Sequence, residues 1–339
     1  MRAWRDAMPV EEVPDPECPP DGVVLRVLAC GVCRSDHHAS AGADPDVALP
    51  HICGHELSGE VIEAGPEVRR WRSGTRVVAP FVLGCGRCGA CASGEATVCA
   101  DQAVPGFTMP GGFAEAIAMP RADFNLAPLP DGMAASHAAV LGCRVTTAFR
   151  ALADRAALVP GEWLAVHGCG GVGLSAVMLG RAMGARVVAV DVVPEKLALA
   201  RELGAEVGLD ARDGPSGEAV REVTQGGAHV SLEALGLPVT FEQSVRSLRP
   251  LGRHVQVGMP TGEGAHPALP LDVVYSRQLS LHGTRGMPAH RFGALFALLQ
   301  AGGIDLARLV EREVSLEEAG ASVAALDGFG GVGVRVVVP

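Results

Sequence analysis

Short β-branched runs at Val23 to Val27, Gly59 to Ile62 and Arg76 to Val78, set in Gly- and Pro-rich sequence, predict an all-β region with irregular loops over residues 1 to about 140. From about 145 to 285 the periodicity changes. An apolar run at Trp163 to Val166, a glycine cluster, a helical stretch at Leu174 to Met183 and a second apolar run at Arg186 to Val190 predict a βαβ unit. A helix is expected from Pro194 to Leu203, with Gly204 ending it, and strands at His229 to Leu232 and at Arg253 to Val257, after the turn Pro250-Leu251-Gly252. The last fifty or so residues are mixed and close on the strand-like Val332 to Val338.

A chain of 339 residues exceeds what one core usually organises, so two domains are expected. Of its residues 48% are hydrophobic, yet no apolar run approaches a membrane span, and no membrane partner is expected. The start, Met1-Arg2-Ala3-Trp4-Arg5-Asp6, leads into Pro-rich acidic sequence rather than a signal peptide, which points to a cytoplasmic protein. A net charge of -10 argues against nucleic acid as a partner and for a small molecule. Of the 28 basic residues only Lys196 is lysine. The ten cysteines of a cytoplasmic chain are expected to be reduced, so their spacing reads as metal ligation or packing.

Cys85, Cys88, Cys91 and Cys99 form Cys-x2-Cys-x2-Cys-x7-Cys amid glycines, a spacing suited to a tetrahedral zinc. Four thiolates leave no open position, so this zinc orders a loop. A second group of metal-binding types is scattered: Cys33-Arg34-Ser35-Asp36-His37-His38, then Gly54-His55-Glu56, then Cys143 in Leu141-Gly142-Cys143-Arg144. Two Cys and one His would leave a fourth position for substrate. Spacing alone does not join these three segments. After the first strand of the βαβ unit, Gly168-Cys169-Gly170-Gly171-Val172-Gly173 supplies G-x-G-x-x-G at a strand-to-helix turn, and Asp191 ends the next strand. That pattern suits a dinucleotide, with the carboxylate on the adenosine ribose selecting NAD over NADP.

In this order, Cys33-Arg34-Ser35-Asp36-x-His38, Gly54-His55-Glu56, the four-Cys loop and the glycine cluster closely resemble the zinc-dependent medium-chain alcohol dehydrogenases of bacterial type, over nearly the whole chain. The resemblance implies an α/β fold. A mainly-β GroES-like catalytic domain would take residues 1–144 and 286–339, and a doubly wound parallel-sheet Rossmann domain residues 145–285. It implies Cys33, His55 and Cys143 as ligands of a catalytic zinc, Glu56 close behind the metal, and Asp36 hydrogen-bonded to His55. Ser35 and His38 would pass the proton of the alcohol to solvent. Arg34 and Arg335 would neutralise the pyrophosphate of NAD, Lys196 would meet its ribose, and Thr147 and Thr284 would flank the nicotinamide. Phe81, and less directly Phe107, would line an apolar substrate pocket.

The expected reaction is reversible hydride transfer between a primary or secondary alcohol and NAD, giving an aldehyde or ketone, in a homodimer or homotetramer carrying two zincs per chain. A zinc-free quinone or enone reductase of the same superfamily, or a non-enzymatic redox sensor, is the competing reading. Cys30, Cys18, Cys53 and Cys169 read as packing residues, His51 as a loop histidine and His37 as solvent-facing.

Overall fold

The computed structural model describes residues 1–328 and 331–339. The chain divides into two compact units, one of Met1–Thr146, Gly286–Phe296 and Leu306–Pro339, the other of Thr147–Arg285 and Ala297–Asp305. The sequence reading kept 297–305 with the first unit. Gly302 explains the difference: a Cβ built there would stand 2.8 Å from Ala182 Cβ, so this turn packs on a helix of the second unit.

In the first unit the strands β1 (Val23–Gly31), β2 (Glu56–Ala64), β3 (Arg76–Val78), β4 (Ala116–Met119), β5 (Ala127–Pro128), β12 (Val310–Val314) and β13 (Val334–Val337) form one sheet, ordered β12-β13-β1-β2-β3-β5 with β4 also paired to β1. Val23, Leu25, Leu57, Val61, Val77, Ile117 and Met119 fill its core. The antiparallel register of β1 on β2 runs from Val23 opposite Ala64 to Gly31 opposite Glu56. It therefore brings Cys33, two residues beyond one strand end, toward His55, one residue before the other. The all-β expectation is corrected here, because short helices occupy Arg34–Ser40, Gly89–Ala92, Ala122–Asn125 and Ala135–Ala139. They sit in loops whose Gly and Pro content masks a helical pattern of at most two turns.

In the second unit β6 (Trp163–His167), β7 (Arg186–Asp191), β8 (Val207–Asp210), β9 (Ala228–Glu233), β10 (Leu248–Gln256) and β11 (Ser280–Gly283) are ordered β11-β10-β9-β6-β7-β8, with parallel pairing throughout. This is the doubly wound α/β arrangement, whose order reverses between β6 and β9. Every residue of β6 is buried, as a central parallel strand covered on both faces requires. Helices at Gly171–Ala182 and Pro194–Glu202 follow β6 and β7, the second started by Pro194, whose missing N–H costs nothing in a first turn. β10 begins five residues before the expected strand. Leu251, with φ of 61°, makes the anticipated turn an irregularity inside it.

Candidate active site

Four ligand-type side chains converge in the first unit: atoms of Cys33, His55, Glu56 and Cys143 all lie within 4.8 Å of one another. Cys33 precedes the helix Arg34–Ser40, His55 immediately precedes β2, which Glu56 begins, and Cys143 lies in the wide helical turn Leu141–Val145. Gly142 lets that turn approach, since a Cβ there would stand 2.9 Å from Glu56 Cα.

Asp36 joins two of these segments. Its Oδ2 accepts from Cys33 N–H at 2.8 Å, and its Oδ1 accepts from Gly54 N–H at 3.1 Å and from His55 Nδ1 at 3.0 Å. With Nδ1 engaged by Asp36, Nε2 is the ring nitrogen turned to the cluster, and its lone pair is the one a neutral imidazole offers there. Nε2 is buried and has no partner. Burial alone would lower the His55 pKa, but the Asp36 carboxylate outweighs it and raises it well above the usual value. The hydrogen bond between the two thiols lowers Cys33 well below the thiol range and raises Cys143. A divalent cation at the centre displaces thiol protons, and this set of two sulfurs and one outward-turned imidazole fits zinc with one position left open.

Glu56 is fully buried, and burial raises its pKa to about 8 against the pull of Arg144. Phe81 and Phe107 both present ring edges to His55, with centroids 5.7 and 5.3 Å away, and make the surroundings apolar. Ser35 is half-buried with Oγ 3.9 Å from Cys33 Sγ. His38 is half-buried, its Nδ1 is unpartnered, and burial followed by the charge of Arg34 lowers its pKa. His37, expected to face solvent, is half-buried with Nε2 3.3 Å from Asp327. Arg34 donates to the Leu326 carbonyl, and Arg335 in β13 stands 3.5 Å from Glu311.

The loop cluster also fits zinc. Thiolates about 2.3 Å from a tetrahedral centre stand about 3.8 Å apart. Here Cys85 and Cys91 sulfurs are 3.9 Å apart, and those of Cys88 and Cys99 3.7 Å. Backbone N–H groups from Arg87 and Cys88 lower Cys85 to about 6, toward the thiolate a metal needs. Asn125 braces the loop entry, accepting from Gly84 N–H at 2.8 Å and donating to Gly84 O at 3.0 Å.

In the second unit the glycine cluster turns from β6 into the helix Gly171–Ala182. Gly168 has φ of 96°, and a Cβ on Gly173 would lie 1.8 Å from Gly168 O, so neither position accepts a side chain. Asp191 ends β7 and holds this turn: Oδ2 accepts from Cys169 N–H at 2.7 Å, and Oδ1 from Val192 and Val193 N–H at 2.8 and 3.0 Å. Lys196 and Thr147 are buried, and Thr284 is half-buried with its hydroxyl unpartnered. Cys30, Cys53 and Cys169 are buried, and Cys18 is half-buried. His51 is buried, and its carbonyl accepts from the N-terminal amine at 2.9 Å.

Three buried charged side chains, Arg144, Arg150 and Glu233, carry no mark in the sequence. Glu233, at the end of β9, accepts from Leu235 and Gly236 N–H, Thr240 Oγ1 and Gln256 Nε2, and so fixes the loop at the strand-order reversal. No motif marks it, because its partners come from later in the chain.

A dithiolate–imidazole centre and, in the other unit, an anion-binding turn on a doubly wound sheet define the class as a metal-dependent dehydrogenase. Residues 19–131 match the alcohol dehydrogenase GroES-like domain, and residues 171–301 match the zinc-binding dehydrogenase domain. An alcohol dehydrogenase of Geobacillus stearothermophilus is 37% identical over 265 residues, covering 78% of this chain and 77% of that one. One from Rhizobium meliloti strain 1021 is 38% identical over 291 residues, covering 84% of each. A solved structure described as an NAD-dependent alcohol dehydrogenase superposes with a TM-score of 0.88 at 28% identity, covering 100% of this chain and 98% of that one. The chain belongs to the zinc-dependent alcohol dehydrogenase family and is an oxidoreductase of that type.

Proposed function

We propose that the chain interconverts a primary or secondary alcohol and its aldehyde or ketone with NAD, using Cys33, His55 and Cys143 to hold one zinc and Cys85, Cys88, Cys91 and Cys99 to hold another. The observation that carries this is the buried His55 Nε2, unpartnered and turned toward two thiols by the bond from Nδ1 to Asp36. When bound, zinc in such an open ligand set acidifies an alcohol hydroxyl, and a nicotinamide supplies the acceptor for hydride.

The chain's own residues do the rest. Ser35, beside the Cys33 sulfur, takes the hydroxyl proton, and His38, kept neutral by burial, passes it on to solvent. Phe81 and Phe107 exclude water from the face of His55 and favour apolar substrates, including fairly bulky ones given the small Ser35. Pyrophosphate meets the N-terminus of the helix that starts in Gly168-Cys169-Gly170-Gly171-Val172-Gly173, where N–H groups and the helix dipole favour anions. Asp191 spends three of its roughly four acceptor sites on backbone N–H groups, which leaves one for a ribose hydroxyl and a charge that opposes a 2′-phosphate. Lys196 assists at that ribose, Arg34 and Arg335 balance the phosphates and Thr147 packs by the nicotinamide; Arg335 must turn from Glu311 to do so.

We also propose a cytoplasmic homodimer or homotetramer. Ten unpaired cysteines, six of them committed here to metal, suit a reducing compartment, and among the described residues no helix is long and apolar enough to cross a membrane. The test is metal analysis of the purified protein together with turnover of an alcohol panel against NAD and NADP. Two zincs and NAD-linked oxidation are expected; a zinc-free protein that reduces quinones or enones would overturn the reading.

A further inference from the structure

The three proposed zinc ligands come from segments far apart in sequence, yet their ligand atoms already stand within 4.8 Å of one another. Asp36 links the Cys33 and His55 segments. Nothing in that link reaches Cys143.

Arg144, the next residue after Cys143, does. It is almost fully buried. Its Nε donates to Glu56 Oε1 at 3.0 Å, its Nη2 lies 2.7 Å from Glu56 Oε2, and the same Nη2 donates to the Val32 carbonyl at 2.9 Å. Glu56 is bonded in sequence to His55, and Val32 to Cys33. One guanidinium thus ties the Cys143 turn to both of the other ligand segments. Its planar fork can serve a carboxylate and a carbonyl at once, which the single ammonium of lysine cannot reproduce.

We infer that Arg144 is a positioning residue that preassembles the Cys33–His55–Cys143 ligand set through Glu56 and the Val32 carbonyl. This rests on the reading of those three residues as ligands. It also gives Glu56 a defined task, as the anchor of Arg144.

The test follows zinc release from the holoenzyme to the chromogenic chelator 4-(2-pyridylazo)resorcinol, with the visible spectrum of the cobalt-exchanged enzyme as a second readout. Two variants are used. Arg144→Lys keeps a cation opposite Glu56, and the double variant Glu56→Gln/Arg144→Met changes both partners, so that neither is left buried alone. In both, one zinc is expected to leave about 10- to 100-fold faster than in the wild type, the loss usual for partners that orient ligands. The other zinc should keep its wild-type rate, and the cobalt bands should shift. Wild-type rates for both zincs and an unchanged cobalt spectrum would overturn the inference. So would equal acceleration at both sites, which marks general loosening of the fold. A wild-type protein that holds only the loop zinc would overturn the ligand assignment itself, and the inference with it.

Discussion

Asp36 and His55, nineteen residues apart, are joined by a 3.0 Å bond in which both partners are almost wholly buried. The same carboxylate caps the backbone at Cys33, so one side chain sets the direction of two proposed ligands. Asp36→Asn should lower the affinity of the catalytic site for zinc about 10- to 100-fold, because the amide neither fixes the imidazole tautomer with a charge nor raises its basicity. Competition with a chelator measures this; unchanged affinity would remove Asp36 from the site.

The four-Cys loop should contribute stability rather than chemistry. With zinc in about thousandfold excess over its dissociation constant, binding to the native state adds about 4 kcal/mol. Cys88→Ser is therefore expected to lower Tm by roughly 5–15 °C, while the folded fraction keeps most of its kcat. A melt at the wild-type temperature with one zinc missing would sink this assignment.

Asp191→Ala should raise the ratio of kcat/KM with NADP to kcat/KM with NAD by about tenfold or more, each 1.4 kcal/mol of differential binding being a factor of ten. Activity with either cofactor should also fall, since Cys169 N–H loses its acceptor. The ratio, not either rate alone, is the readout, and a ratio that stays put refutes the ribose role.

Two buried histidines give the second unit an acid limit. Burial lowers His167 to about 3 and His254 to about 4, from an ordinary value of 6.5. Because the folded pKa values lie below the unfolded one, stability is at its full value above pH 6.5. Below that the unfolded chain takes protons the folded chain refuses, and each histidine costs about 1.4 kcal/mol per pH unit until its folded pKa is reached. Denaturant melts from pH 7.5 to 4.5 should show this slope, reduced in His167→Leu. A His167→Leu protein with the wild-type slope would contradict it.

How much of this was legible in the sequence depended on the distance between partners. Cys85, Cys88, Cys91 and Cys99 lie within fifteen residues, so their spacing alone announced a metal loop. Gly168 to Gly173 and Asp191 belong to one βαβ unit and were equally readable. Cys33, His55 and Cys143 are joined only by sheet register and by a turn returning from a distant segment, and without the family resemblance they stayed separate. The helix Arg34–Ser40 was hidden for a local reason, since the cap position holds Cys33 where Ser, Thr, Asp or Asn would signal a start. Arg144 was hidden for a tertiary one. An arginine in an apolar stretch gives no hint of its acceptors, which lie 88 and 112 residues away.

The near-absence of lysine bears on how the molecule can be handled. Amine-directed reagents, which decorate most proteins at many exposed points, find here one side chain, Lys196, and it is buried in the helix that follows β7. Acylation thus becomes a probe of Lys196 and the N-terminal amine of Met1 rather than a surface map. Its rate at Lys196 with and without nucleotide would report on the occupancy of that one place.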